Sequence, residues 1–244
     1  MKLLFDLHTH TIMSGHAYST LRENIEEAKE KGLKAYGFAE HSVALPGSVQ
    51  EIYFQNFKVI PKEVNGVEIY CGIELNILDL EGNVDSNKFI HDHMDYMIAS
   101  QHSNVLIPGS SFENTKCLLK VMEDEKIKII GHPDDIRYNL DYDILAKEAK
   151  NTNTVLELNN SSLSPYSYRV GAEETVGKML SACMKYETKI IVNSDAHFYS
   201  DVGNFDRALK ILEKYEFPEE LVVNSSMEGL KYVLNDSPRL NMFK

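Results

Sequence analysis

Short apolar runs recur along this chain, and almost every one ends in a histidine, a carboxylate or an asparagine. Residues 2–5 read as a first strand, running straight into Asp6-Leu7-His8-Thr9-His10. Thr20-Leu21-Arg22-Glu23 has the spacing of a capping box; Leu21, Ile25 and Ala28 then recur at helical intervals until Gly32 stops the helix. Residues 34–39 form a second run, ending at Glu40-His41, and residues 42–64 predict a loop with a short helix. Further strands are expected over 67–73, ending at Glu74; 95–100, ending at Gln101-His102; and 127–131, ending at His132-Pro133. Two more follow, over 154–158 with Asn159-Asn160 and over 189–193 with Ser194-Asp195-Ala196-His197. Helical patterns fill 113–126, 142–150, 173–186, 205–215 and 227–234. Strand and helix alternating about seven times predict an α/β fold with a parallel sheet. No repeat, low-complexity stretch or linker divides the chain, so one domain over 1–244 is expected.

Composition narrows the setting. The formal net charge is −12 and no basic run appears, which argues against extended nucleic-acid tracts and anionic membranes as partners. A small anionic substrate remains open, because bound cations reverse the field inside a cleft. Cys71, Cys117 and Cys183 form no CxxC pair and read as buried thiols of a reducing compartment. Residues 1–5 are too short for a signal peptide and no run reaches the ~20 apolar residues of a membrane span, so a cytoplasmic location is expected.

The placement of the polar residues changes the picture most. Alternation along a strand puts Asp6, His8 and His10 on one face, where two imidazoles can chelate a metal. His41, Glu74, His102, His132, Asp195 and His197 all stand at or just past a strand's C-terminal end. In a closed parallel barrel those ends converge on the face that carries the active site. His16 lies in the first loop of that face and is kept as a ligand. None of the nine histidines is expected in a confidently helical segment. His91 and His93 form the same His-x-His pair but precede a strand, and read as surface or capping residues. Seven histidines with Glu74 and Asp195 are too many for one catalytic ion, which takes about three protein ligands, and suit three. The lack of cysteine ligands points to zinc, manganese, iron or cobalt. A metal-dependent hydrolase is expected.

The set Asp6-Leu7-His8-Thr9-His10, His16, Glu40-His41, Gly72-Ile73-Glu74, His102, Gly131-His132-Pro133, Asn159-Asn160 and Ser194-Asp195-Ala196-His197 resembles the PHP (polymerase and histidinol phosphatase) superfamily, most closely its small stand-alone bacterial phosphatases. The resemblance covers nearly the whole chain and fills every family ligand position. It implies a distorted, TIM-like (β/α)7 barrel with three divalent ions, zinc first, manganese or iron next. It also implies a grouping: His8, His10, Glu74 and Asp195 on one ion, Glu74, His102 and His132 on a second, and His16, His41 and His197 on a third. The expected reaction is hydrolysis of a small phosphomonoester by a metal-bridging hydroxide held by Glu74, Asp195 and His197.

Other positions are open at this level. Arg169, after the sixth strand, is a candidate phosphate clamp or a solvated arginine, and Arg137 is the weaker candidate of the same kind. Residues 159–162 either bond substrate oxygens or form turns. Glu40 and Asp6 are candidates to orient imidazoles. Asp134-Asp135 reads as a solvated turn. Tyr166, Tyr168, Phe198 and Tyr199 either wall a cleft or pack. The competing functions are a phosphodiesterase or nuclease, an amidohydrolase-type barrel and a non-catalytic metal-binding module. No strand end offers the bridging lysine that the amidohydrolase type often uses.

Overall fold

The computed structural model of the chain describes residues 1–236; residues 237–244 of the expected domain lie outside the described residues. In chain order the elements are β1 (Phe5–Asp6), α1 (Leu21–Glu30), β2 (Ala35–His41), α2 (Glu51–Gln55), β3 (Glu63–Val64), β4 (Val67–Asn76), α3 (Lys88–His93), β5 (Tyr96–Ser100) and α4 (Ser111–Val121), followed by β6 (Ile127–Ile130), α5 (Tyr142–Thr152), β7 (Val155–Asn159), α6 (Ala172–Tyr186), β8 (Ile190–Asn193) and α7 (Asp206–Lys214). Seven strands pair in parallel in the order β1-β2-β4-β5-β6-β7-β8. No ladder joins β1 to β8, but Thr9 and Ala196 form a parallel bridge just beyond them. The result is the expected distorted (β/α)7 barrel, nearly closed.

The two-residue period of the strands sorts side chains into two apolar layers. Tyr36, Phe38, Ile69, Cys71, Ile73 and Leu156 face the helices. Phe5, Leu7, Ala35, Tyr96, Ile98, Ile129, Val155 and Ile191 fill the barrel interior. Tyr96 is the bulkiest of the interior group, and glycines make room for it: a Cβ on Gly72 would stand 2.2 Å from its Cζ. Its hydroxyl donates to the Leu7 carbonyl at 2.5 Å. With the interior plugged by apolar side chains, the buried polar residues on the inward phase gather towards the strands' C-terminal ends.

The seam between β1 and β8 is closed by a side chain. Asn224 donates through Nδ2 to the carbonyls of Phe5 (2.9 Å) and Val192 (2.6 Å), and its Oδ1 accepts from Val192 N at 3.2 Å. Val223, Leu230 and Val233 pack beside it into the interior cluster. Asn224→Ala removes all three bonds from buried main chain. The expected loss is about 3 kcal/mol, or about 6–12 °C in Tm, read by thermal melting.

Several boundaries differ from the sequence expectation. β1 is only Phe5–Asp6, because its parallel pairing extends only to Ala35 and Tyr36. β3 was not expected; it turns back onto β4 through Asn65-Gly66, both at positive φ (55° and 83°), the pair that two-residue hairpins favour. α4 starts earlier than expected, behind a Ser110–Glu113 capping box, and ends at Val121. The 227–234 helix is 3-10, over Met227–Tyr232. α3 was also unexpected and carries His91 and His93 in its last turn, so two histidines do lie in a helix. Cys71, Cys117 and Cys183 are buried thiols. Among the described residues no helix is long and apolar enough to cross a membrane.

Candidate metal centre

The barrel delivers the candidate ligands to one place. His41 ends β2 and Glu74 lies near the end of β4, while His8, His10, His102, His132, Asp195 and His197 come from the residues just after β1, β5, β6 and β8. Glu74 stands in the middle, fully buried. Its Oε1 lies 3.0 Å from His132 Nε2, 3.2 Å from His102 Nε2 and 3.3 Å from His8 Nε2. Its Oε2 lies 2.5 Å from His41 Nδ1 and 3.6 Å from His10 Nε2. Asp195 Oδ1 is 3.3 Å from His10 Nε2, 3.7 Å from His8 Nε2 and 3.6 Å from His197 Nδ1. Among the described residues four overlapping sets could each hold an ion: His10-His41-His197, His8-His132-Asp195, His8-His10-Glu74 and His41-Glu74-His102. His16 is outside these sets and exposed, but its Nε2 reaches His197 Nε2 at 3.0 Å. His132 and Asp195 both adopt left-handed backbone, φ 29° and 53°, a strain typical of functional sites.

Five of the seven imidazoles are locked in one tautomer. His8 Nδ1–H donates to Glu157 at 2.7 Å and His102 Nδ1–H to Asn76 Oδ1 at 2.8 Å. His16 and His197 donate from Nδ1 to the carbonyls of Ser14 (3.1 Å) and Asp195 (3.0 Å). His10 Nδ1–H donates to Ser14 Oγ at 3.0 Å, because that hydroxyl gives its own proton to Glu40 at 2.5 Å. In its neutral form each of these rings therefore carries its lone pair on Nε2, the arrangement metal-binding histidines use. The facing Nε2 atoms of His16 and His197 set two lone pairs against each other at 3.0 Å, a contact that a cation relieves. Nε2 of His8 and His10, both ring nitrogens of His41 and Oε2 of Glu74 are buried without a hydrogen-bond partner. Tetrahedral ligands about 2.0–2.1 Å from zinc stand about 3.3 Å apart, the scale of the separations here. The donor set fits divalent transition-metal ions.

Charge is arranged accordingly. Burial alone would push Glu74 up, yet His41, His102 and His8 hold it well below the carboxylate range. Asp195 is held down against burial in the same way, with His8 and His10 foremost. Burial, with His41 and His197 beside it, keeps His10 well below the usual imidazole range, and burial also lowers His41, His16 and His197. His8 moves up instead: the charges of Glu157, Glu74 and Asp195 outweigh its burial.

Glu157 is the carboxylate the sequence reading missed. It lies inside β7, fully buried, and besides His8 it accepts from His132 N (2.7 Å), Asn159 (3.0 Å) and Asn193 (2.8 Å). The available signal was a carboxylate two residues from Val155 and Asn159, on the strand's inward phase. Asp6 and Glu40 touch no ring. Asp6 accepts from Ser194 and Gly203, since β1 ends there and the alternation does not run on through His8 and His10. Glu40 accepts from Thr11 and Ser14 and reaches His10 only through that serine. Asn159 and Asn160 serve the fold: Asn159 bonds Glu157, Asp195 and Ser162 N, and Asn160 caps the start of α7 at Arg207 N and Ala208 N.

The expected solvated turn at Asp134-Asp135 is wrong. Both are buried, and burial pushes the Asp134 carboxyl up to about 7 against the pull of Arg169 and Ser162. Asp135 forms a bidentate pair with Arg137. Arg169 is also buried, not solvated, with Nη1 on Ser162 Oγ and Asp195 Oδ2 at 3.0 and 3.3 Å. Both guanidinium groups lie against the Tyr168 ring, at 4.9 and 5.0 Å. They line a cavity of about 830 Å³ that reaches the histidines, with Tyr166 and Tyr168 at its wall. His91 and His93 are elsewhere, His91 against Asp124 at 2.8 Å and His93 stacked on Phe89.

A sequence model of the PHP domain matches residues 6–235. The chain belongs to the PHP-domain family. A probable phosphatase of Clostridium botulinum (strain Hall) is 40% identical over 236 residues, 96% of each chain. Another, of Caldicellulosiruptor saccharolyticus, is 40% identical over 229 residues, 94% of this chain and 95% of its own. Among solved structures, histidinol phosphate phosphatase of Lactococcus lactis, complexed with zinc, L-histidinol and phosphate, shares the fold with a TM-score of 0.67. It covers 89% of this chain and 95% of its own at 19% identity. This PHP-domain chain thus has full-length relatives and the barrel that its order of strands and helices implied.

Proposed function

We propose that this PHP-domain chain is a metal-dependent phosphatase of small phosphomonoesters, with three divalent ions, zinc first, held by His8, His10, His16, His41, Glu74, His102, His132, Asp195 and His197. The observation that carries the reading is the buried Glu74 carboxylate, approached by five imidazoles whose inward atoms largely lack any other partner. The full-length phosphatase relatives, and a fold neighbour whose structure holds zinc and phosphate, support it. Bound divalent ions supply Lewis acidity and a water of lowered pKa.

The chain's own residues do the rest. Glu157, Ser14, Asn76 and the carbonyls of Ser14 and Asp195 hold imidazoles in the ligand tautomer. Arg169 offers the substrate phosphate a fixed cation at the cavity wall. Cys71, Cys117 and Cys183 are buried in the fold and none stands among the ligand sets, so no covalent phosphoryl-thiol step is invoked. The cavity's size suits a small molecule, and the net charge of −12 repels a polyanion.

The deciding experiment is a panel of phosphate esters offered to protein reloaded with zinc or manganese. Monoesters should be hydrolysed faster than matched diesters, with inorganic phosphate a competitive inhibitor. A clear preference for diesters, or tight salt-sensitive binding of duplex DNA, overturns this reading in favour of a nuclease.

A further inference from the structure

A connected set of buried polar contacts runs behind the cavity wall and meets the metal centre only at Asp195. Asp134 Oδ1 accepts from Ser162 Oγ at 2.9 Å, the Ser162 oxygen accepts from Arg169 Nη1 at 3.0 Å, and the same nitrogen donates to Asp195 Oδ2 at 3.3 Å. Each link is anchored separately. Asn159 Oδ1 takes the Ser162 N–H at 3.0 Å, and Thr175, on α6, donates its hydroxyl to the Asp134 carbonyl at 2.6 Å. All four side chains are buried.

The direction of these bonds matters. A serine hydroxyl has one proton, and a guanidinium only donates. Ser162 can therefore accept from Arg169 only while its own proton points elsewhere, and Asp134 is the acceptor that draws it away. Without that carboxyl the hydroxyl proton is free to turn towards Arg169, and one of the two anchors of Nη1 is lost. The adjacent Asp135 is spent on Arg137, so it does not substitute.

We infer that Asp134 is a positioning residue: acting through Ser162, it holds Arg169 at the cavity wall in the orientation that receives the substrate phosphate. The inference rests on the phosphatase reading above and adds a residue that never meets the substrate.

The test uses full-length, metal-loaded protein and two readouts: calorimetric Kd for inorganic phosphate, and kcat and KM for p-nitrophenyl phosphate. Asp134→Ala and Ser162→Ala should each raise the phosphate Kd and the KM about tenfold, with kcat changed by less than about threefold and metal content unchanged. The double variant should be no worse than either single one, because both changes cut the same relay. Asp134→Asn keeps an acceptor oxygen for the serine and should restore Kd to within about threefold of the parent. Multiplying effects in the double variant, no recovery in Asp134→Asn, or a lowered Tm with unchanged Kd each overturns the relay. If Asp134→Ala does not fold, Ser162→Ala and Asp134→Asn still decide the matter. A parent protein that neither binds phosphate nor turns over the ester overturns the phosphatase reading itself, an outcome distinct from normal turnover with insensitive variants.

Discussion

Chelation followed by desalting should abolish turnover of a phosphomonoester, by at least about 10³-fold, and zinc or manganese should restore it. The stripped centre holds Glu74, Asp195 and Glu157 fully or almost fully buried, with Nε2 of His8 and His10 and both ring nitrogens of His41 lacking hydrogen bonds. That arrangement tolerates neither water nor crowding by lone pairs well, so metal should also stabilise the fold. Each ion at a hundred times its Kd adds about 2.7 kcal/mol. Elemental analysis, turnover and thermal melting on the same samples test all three statements. Full turnover by the stripped protein would sink the metal-dependent mechanism. Saturation at one ion per chain would sink the three-ion assignment while leaving the hydrolase.

Glu74→Gln should be nearly as severe, with metal loss and a fall of about 10³-fold in kcat/KM. The substitution keeps the volume but replaces one oxygen by an amide donor among imidazole lone pairs, and removes the charge that faces five rings. The matched control is His91→Ala/His93→Ala. Those rings sit on α3, bonded to Asp124 and to the Phe89 carbonyl, and should leave metal and turnover as they were. A control that lost metal while Glu74→Gln kept it would put the centre in the wrong place.

The nine proposed ligands could be read from the chain because a simple rule connects order to space. Where strands and helices alternate, parallel strands bring their C-terminal ends together, so residues far apart in sequence meet if each follows a strand. The same rule separated His91 and His93, which precede β5, from His102, which follows it. Capping at Thr20 and Glu23 was equally legible, being complete within four residues. The Asn65-Gly66 hairpin was legible too but went unread.

Glu157, Asp134 and Asn224 were decided by the tertiary structure. A carboxylate between Leu156 and Leu158 says only that one strand face differs from the other; its partner His8 is 149 positions away. Asp134-Asp135 after a proline has the local look of a solvated turn, and only Ser162, from the loop after β7, and Thr175, from α6, make Asp134 a buried acceptor. Asn224 closes a seam that exists only because β1 is too short to pair with β8. Local sequence determines what a segment must do with its own backbone and which face is apolar. Which polar group is buried, and therefore which one must find a distant partner, is set when the barrel closes and water leaves its interior.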